Sequence, residues 1–315
     1  MYTQRDPLTL SSSAYRRSAP SLHCLLLAAA LVCGLLAALG ATPARAEPPD
    51  DPESAVSPAT LDPPSALLYL PQIAHIGQAA NEGDPNGCPT VSEANYASVP
   101  VFGARAGHPP PIHADLNLAV RGYVTTTAAL TLVDINGPTD DDAPRLGTLF
   151  AARPLPAFVG AYQVNGWDWG SAECPDALWA GHGCRAAPIA DPHVTLLAMA
   201  SARGEPVLAP YRRAEIYPAR YVALALYAEE TRLTLGYTRE DSAAVGYVVH
   251  LEDICVDPNL LALYRALDAA GRTSLPAVRS MEQVGVAAGP ALKTAVRDTG
   301  SFMDPRSRKD WWQPQ

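Results

Sequence analysis

The chain has 315 residues, of which 48% are hydrophobic, and its formal net charge at pH 7 is −9. A chain of this length and hydrophobic content can form one large β domain or two smaller domains. Its acidic charge argues against nucleic acid as a partner, because nucleic-acid binding needs a basic surface, and anionic lipid would repel it as well.

The first 46 residues have the pattern of a secretory leader. Arginines precede the apolar run LLLAAALVCGLLAALGA, and small residues stand at the two positions that a signal peptidase reads. We therefore predict a cleaved signal peptide over residues 1–46 and export to the bacterial cell envelope or beyond it. An uncleaved anchor is the alternative, because the run nearly reaches spanning length. No further membrane span is expected from the sequence.

The next part of the chain changes from a linker to short strand-like segments. Residues 47–66 are rich in proline and acid and predict an extended linker. From residue 67 to 190, segments such as DLNLAVRGYV, AALTLVDI and PAFVGAYQV alternate apolar and polar residues between turns rich in Gly, Pro and Asn. Since a period of two is typical of half-buried strands, we predict an irregular antiparallel β domain of unknown type over 67–190.

Four cysteines follow the leader, at Cys88, Cys174, Cys184 and Cys255. An even number of cysteines in an exported protein predicts two disulfides, for which three pairings exist. The short loop between Cys174 and Cys184 favours that pair and leaves Cys88 with Cys255.

The segment from 191 to 305 predicts a second β domain with one inserted helix. Its apolar runs include HVTLLAMA, YVALALYA, TRLTLGYT, GYVVHLE and LKTAVRD. Asp257 as N-cap, Pro258 in the first turn and Gly271 after the last turn predict a helix over 257–270. Residues 306–315 form a basic and aromatic tail. The predicted fold class is therefore mostly β.

Three motifs in this second segment occur in the order found in one enzyme family. They are GEPVLAP at 204–210, LTLGYTRE at 233–240 and GPALKTAVRDTGSFMDP at 289–305. In this order, and over about residues 192–305, the chain resembles the lysostaphin-like (LytM-type) zinc endopeptidases, which cut peptidoglycan cross-bridges. The resemblance implies a peptidase-like sheet of the duplicated hybrid motif type, with a zinc ion held by His, Asp and His.

The positions that this resemblance assigns to zinc chemistry hold other residues. They fall on Val194, Ala198, Arg239, Ala291 and Lys293. At an effective dielectric constant of about 20, an ammonium group about 4 Å from a dication costs about 8 kcal/mol, so Lys293 opposes metal binding. A shift of one residue brings His193 into the first ligand position but puts Leu197 at the carboxylate position. We therefore predict a relative without catalytic residues and without a cofactor.

Three cations would line the peptidase-like groove if the resemblance holds: Arg239, Lys293 and Arg297. Lys293 and Arg297 are four residues apart in one predicted strand and so share a face. Two interpretations are open. The cations form ion pairs with acids such as Glu240 and Asp241, or they bind an anionic group such as a peptide carboxylate.

The sequence leads to one functional hypothesis and two alternatives. The hypothesis is an exported, non-catalytic cell-envelope protein that binds peptidoglycan, a muropeptide or a protein partner. The first alternative is a cell-wall zinc metalloendopeptidase whose relocated ligands come from His182, Asp191, His193 and His250. The second alternative is a structural surface protein without a small ligand.

Overall fold

The computed structural model describes residues 87–103, 107, 109–170 and 181–314. The predicted signal peptide, the predicted linker and Cys174 lie outside these residues. The described residues all belong to one compact unit. In this part of the chain, no helix combines the length and the apolar character needed to cross a membrane.

The protein is mostly β, as the sequence predicts. The strands are β1 (Ala97–Pro100), β2 (Tyr123–Thr125), β3 (Phe158–Asp168), β4 (Cys184–Pro188), β5 (Leu196–Ala200), β6 (Pro206–Leu208), β7 (Tyr221–Glu229), β8 (Arg232–Gly236), β9 (Tyr247–Glu252), β10 (Ile254–Val256), β11 (Ser274–Arg279), β12 (Gln283–Ala287), β13 (Ala291–Asp298) and β14 (Ser301–Met303). The helices are α1 (Leu118–Arg121), α2 (Pro258–Ala269) and α3 (Arg308–Trp311), with short 3₁₀ turns at Pro110–Ile112 and Leu146–Thr148.

The strands form two antiparallel sheets. The larger sheet has 11 strands in the order β1-β11-β7-β8-β9-β13-β5-β3-β2, with β14 paired to β13 and β4 paired to β3. The smaller sheet has the order β10-β12-β6. The larger sheet continues across residue 190, where the sequence analysis divides the chain, because β3 pairs with β5 and β1 pairs with β11.

Hydrophobic pattern explains why the central strands pack as they do. Strand β7 lies between β11 and β8 and is buried along almost its whole length, in keeping with its continuous apolar run. Strand β13 instead alternates. Its Leu292 and Val296 lie in the main core, whereas Lys293, Ala295 and Arg297 point to the opposite face of the sheet.

The predicted helix insert is present as α2. The Asp257 carboxylate caps it by accepting hydrogen bonds from the backbone N–H groups of Asn259 and Leu260. Leu260, Leu261 and Tyr264 form the buried stripe of this helix. The helix packs against β7 and β11 of the larger sheet.

One predicted disulfide is confirmed. Cys88 and Cys255 are bonded, with their Cα atoms 5.3 Å apart and a sequence separation of 167 residues. The bond ties the segment before β1 to β10. Cys184 is also disulfide-bonded, and its predicted partner Cys174 lies outside the described residues.

Two predicted strands are wrong. Leu118–Arg121, in the middle of DLNLAVRGYV, form α1, and only the last two residues of the segment are in a strand, β2. The Asn117 side chain accepts a hydrogen bond from the N–H of Ala119 and starts the helical turn, and Gly122 ends the turn at a φ of 65°. The segment AALTLVDI forms only an isolated bridge between Val133 and Ser307. No described strand lies beside it to complete a ladder.

The basic and aromatic tail packs on the fold. Trp311 is 1% exposed and donates from its indole nitrogen to the carbonyl of Asp304 at 2.8 Å. Arg306 is also buried and pairs with the carboxylate of Asp304 at 2.7 Å. The tail is therefore part of the folded unit.

Candidate functional site

Lys293 lies on β13, at a position that the motif resemblance assigns to a zinc ligand. Its neighbours across β13 are Ala198 on β5 and Glu252 on β9. Its Nζ forms an ion pair with the carboxylate of Asp253 and lies 5.7 Å from the ring centroid of Tyr123. Burial alone would lower the pKa of Lys293, but the hydrogen bond and the charge of Asp253 raise it above its ordinary value. The amine is therefore held in its charged form.

Arg297 lies on the same face of β13, in a buried arrangement of three charges. One guanidinium nitrogen of Arg297 lies 2.8 Å from an oxygen of Asp115, and Arg121 lies 2.5 Å from the same oxygen. Burial would raise the pKa of Asp115, but the two guanidinium groups lower it. Arg297 is only 2% exposed, so it is not available to an external ligand.

We call the surface formed by Lys293 and Arg297 of β13, His250 and Glu252 of β9, and Thr234 of β8 the polar face. Register places these residues side by side on the three neighbouring strands.

Residues 109–125 of the chain cover much of the polar face. The hydroxyl of Thr234 donates to the carbonyl of Leu116 at 2.6 Å, and a nitrogen of Arg297 donates to the carbonyl of Asp115 at 3.3 Å. Asn117 donates from its amide to the hydroxyl of Tyr227 at 3.2 Å. The chain's own backbone thus occupies the space above these strands.

His250 is fully buried in the polar face. Its Nδ1 lies 3.0 Å from the hydroxyl oxygen of Thr234, and its ring stacks on Phe302 with centroids 6.3 Å apart. The Thr234 hydroxyl already donates its proton to the carbonyl of Leu116. Nδ1 of His250 therefore carries a proton and donates to the hydroxyl oxygen of Thr234. Burial, with a further effect from Arg297, lowers the pKa of His250 to about 3, so the ring is neutral.

Glu252 is the second buried acid of this region. It is 5% exposed and accepts a hydrogen bond from Arg232 at 2.7 Å, while Arg232 also pairs with Glu229. Burial raises the pKa of Glu252 to about 7, although Arg232 lowers it in part. The carboxyl therefore changes its charge near neutral pH.

We expect Glu252→Gln to change stability in a pH-dependent way. The folded pKa of about 7 lies above the unfolded value of 4.5, so the proton stabilises the fold below pH 4.5 and this contribution is lost as the pH rises through 7. Gln resembles the protonated acid. The variant should exceed the parent's free energy of unfolding by less than about 1 kcal/mol at pH 5 and by about 3 kcal/mol at pH 8.

Urea denaturation at the two pH values measures this difference. Glu93→Gln, which changes an exposed carboxylate, is the matched control. An equal effect of Glu252→Gln at both pH values would show that the folded pKa of Glu252 is not raised.

The three predicted binding cations do not form one cluster. Arg239 donates to the carbonyl of Ile216 at 2.5 Å and lies over the ring of Tyr217 at 4.8 Å. Lys293 and Arg297 pair instead with Asp253 and Asp115. The predicted ion-pair partner Asp241 instead binds Arg272 at 2.7 Å.

The four residues of the zinc alternative are also separate. His193 bonds through Nε2 to the hydroxyl of Thr126 at 2.7 Å, and the carbonyl of His182 accepts the indole N–H of Trp167 at 3.0 Å. Asp191 is exposed and His250 is buried in the sheet. Across the described ranges, no three His, Cys, Asp or Glu side chains come together to hold a metal ion.

The residues that the sequence analysis missed are Asp115, Glu252 and Asp253. Asp115 and Arg297 are 182 residues apart, and no local pattern joins them. Asp253 directly follows β9 and has a left-handed backbone, with a φ of 62°. The one available signal was the acidic pair Glu252-Asp253 directly after GYVVHL, at the end of the strand β9.

Comparison of the chain with protein-family models, with curated proteins and with solved structures found no match. The resemblance to LytM-type endopeptidases therefore stays a prediction from the sequence motifs. The polar face is interpreted from its own contacts and charges.

Proposed function

We propose that this protein is an exported, non-catalytic relative of the LytM-type endopeptidases that binds a component of the bacterial cell envelope. The component is peptidoglycan, a muropeptide or an envelope protein. The observation that carries the proposal is Lys293, whose charged amine pairs with Asp253 at the position where the resemblance expects a zinc ligand.

Strand register supports this interpretation. Lys293 of β13 lies directly opposite Ala198 of β5. The resemblance assigns these two positions to a His and an Asp ligand, and directly opposite residues have their Cβ atoms about 5 Å apart. That spacing suits two ligands of one zinc ion. A methyl group and an ammonium group in these positions do not fit zinc.

The accessible part of the polar face is small. Lys293 has a side-chain exposure of 16%, and its partner Asp253 is 47% exposed. A carboxylate or phosphate of an envelope ligand would compete with Asp253 for the amine, with the ring of Tyr123 beside it. Lys293 is therefore the residue that we expect to contact the ligand, whereas Arg297 has a structural role through Asp115.

Co-sedimentation with purified sacculi tests the proposal. We expect the protein to sediment with sacculi at low salt and Lys293→Met to reduce the bound fraction several-fold, because the amine is lost. Lys309→Met is the matched control, since it removes the other lysine of the sequence, which pairs with Asp310.

Failure of the parent protein to sediment at low and high salt would contradict the peptidoglycan form of the proposal and favour a structural surface protein. If Lys293→Met and the parent bind sacculi equally, the polar face is not the surface that contacts the peptidoglycan.

A further inference from the structure

Two adjoining cavities lie where residues 130–132, residues 154–158 and the C-terminal tail meet. Their volumes are about 460 and 450 Å³, and both open to solvent. They share Leu132, Leu155 and Arg308 in their walls, and we call the pair the Arg308 groove. Volumes of this size are typical of binding sites for small molecules and side chains.

The walls of the groove are held in place by backbone and ring contacts. The indole nitrogen of Trp312 donates to the carbonyl of Pro305 at 2.9 Å, and its ring lies 5.3 Å from that of Phe158. Val133 exchanges backbone hydrogen bonds with Arg306 and Arg308 at 3.1 and 3.0 Å, which fixes the 130–132 segment on the tail. The groove is thus formed before any ligand arrives.

Apolar side chains in this groove face water. Leu155 is 56% exposed and Leu130 is 43% exposed, and both line the first cavity. They offer a ligand apolar walls beside a concave surface, as small-molecule and peptide sites do.

Arg308 supplies the charge of the groove. It is the one charged residue among the described residues that line the two cavities. Its side chain is 53% exposed and pairs at 2.9 Å with Asp134, whose side chain is 81% exposed. Such an exposed pair contributes little to stability, so an incoming carboxylate can replace Asp134 at the guanidinium group.

We propose that the Arg308 groove binds a short peptide segment of a partner protein that has an acidic residue with an apolar residue on each side of it. The two apolar side chains enter the two cavities, and the carboxylate pairs with Arg308 on their shared wall. The charge of Arg308 favours an acidic residue in the peptide, and the apolar walls favour apolar residues on either side of it. The inference does not depend on the proposed function, because no residue of the polar face lines the groove.

Selection from a phage-displayed library of random hexapeptides on the immobilised full-length protein tests this inference. We expect enrichment of sequences in which an acidic residue has apolar residues on both sides. One enriched peptide, labelled with fluorescein, is then titrated by fluorescence polarisation. Leu155→Glu should weaken its binding about tenfold or more, since it adds a negative charge to an apolar wall, and Arg308→Gln several-fold.

Two matched controls separate the groove from general surface effects. Val91→Glu changes another exposed apolar residue, at 80% exposure, and Arg213→Gln removes another exposed arginine that pairs with one aspartate. Both should bind the peptide as the parent does.

Three results would overturn the inference. They are a selection without this pattern, an enriched peptide that binds Leu155→Glu as tightly as the parent, and a dimer in sedimentation velocity that Leu155→Glu dissociates. The last result would assign the groove to a second copy of the chain.

Discussion

Asp115→Ala should lower the free energy of unfolding by about 3–5 kcal/mol, because it leaves two guanidinium groups without their shared counter-charge. Arg297 and Arg121 are 2% and 6% exposed and both bind the same oxygen of Asp115. Their remaining hydrogen-bond partners are carbonyl oxygens, and both guanidinium groups lie over the ring of Phe302. Neither kind of contact neutralises their charge. Urea denaturation followed by circular dichroism measures the change.

Two further variants make this result specific to the buried charges. Asp134→Ala removes an exposed partner of Arg308 and should cost no more than about 0.5 kcal/mol. Adding Arg297→Met to Asp115→Ala should recover part of the loss, because one unpaired buried charge is then gone. A cost below about 1 kcal/mol for Asp115→Ala would show that water reaches these groups and that the polar face is not closed.

Loss of the Cys88–Cys255 bond should have an effect of similar size. The two cysteines are 167 residues apart, so the bond restricts a very long loop of the unfolded chain. In the chain-entropy model such a loop corresponds to about 5 kcal/mol, and measured effects of native disulfides are about 2–5 kcal/mol. We therefore expect Cys88→Ala/Cys255→Ala to lower the melting temperature by roughly 10 °C.

The double variant is a cleaner test than a reducing agent, because Cys184 is disulfide-bonded too. The segment before β1 has other contacts with α2, among them a hydrogen bond of 2.5 Å from Ser92 to the cap carboxylate of Asp257. An unchanged melting temperature would mean that these contacts hold the segment without the bond.

Local sequence pattern was enough for much of the sheet and for its helix. Strand β7 has a continuous apolar run, and α2 has a cap, a proline in its first turn and a buried stripe, so each element is specified by its own residues. The segment at α1 was predicted as a strand because its apolar residues Leu116, Leu118 and Val120 alternate, and all three are indeed buried. A side-chain cap nevertheless makes Leu118 and Val120 part of a helical turn. Four helical residues are too few to show a helical period.

The candidate site was predicted only in part. The motif around Lys293 indicated a strand with a cation in place of a metal ligand, and the strand is present. Its partners were not predictable, because Asp115 comes from the distant segment 109–125 and Asp253 has a left-handed backbone after β9. Arg239 was grouped with Lys293 by the motif alignment, whereas it packs on Tyr217. Such contacts depend on how segments that are far apart in the sequence pair in the sheet, and the pattern of a single sequence does not show this pairing.

Zinc content is the most direct test of the central proposal that the sheet around Lys293 does not hold a catalytic zinc ion. The full-length protein is incubated with zinc, freed of unbound metal by gel filtration and measured by inductively coupled plasma mass spectrometry. We predict far less than one zinc ion per chain, since Lys293 and Ala198 offer no ligand. One tightly bound zinc ion per chain, lost in His193→Ala or His250→Ala, would contradict the account and support a relocated catalytic site.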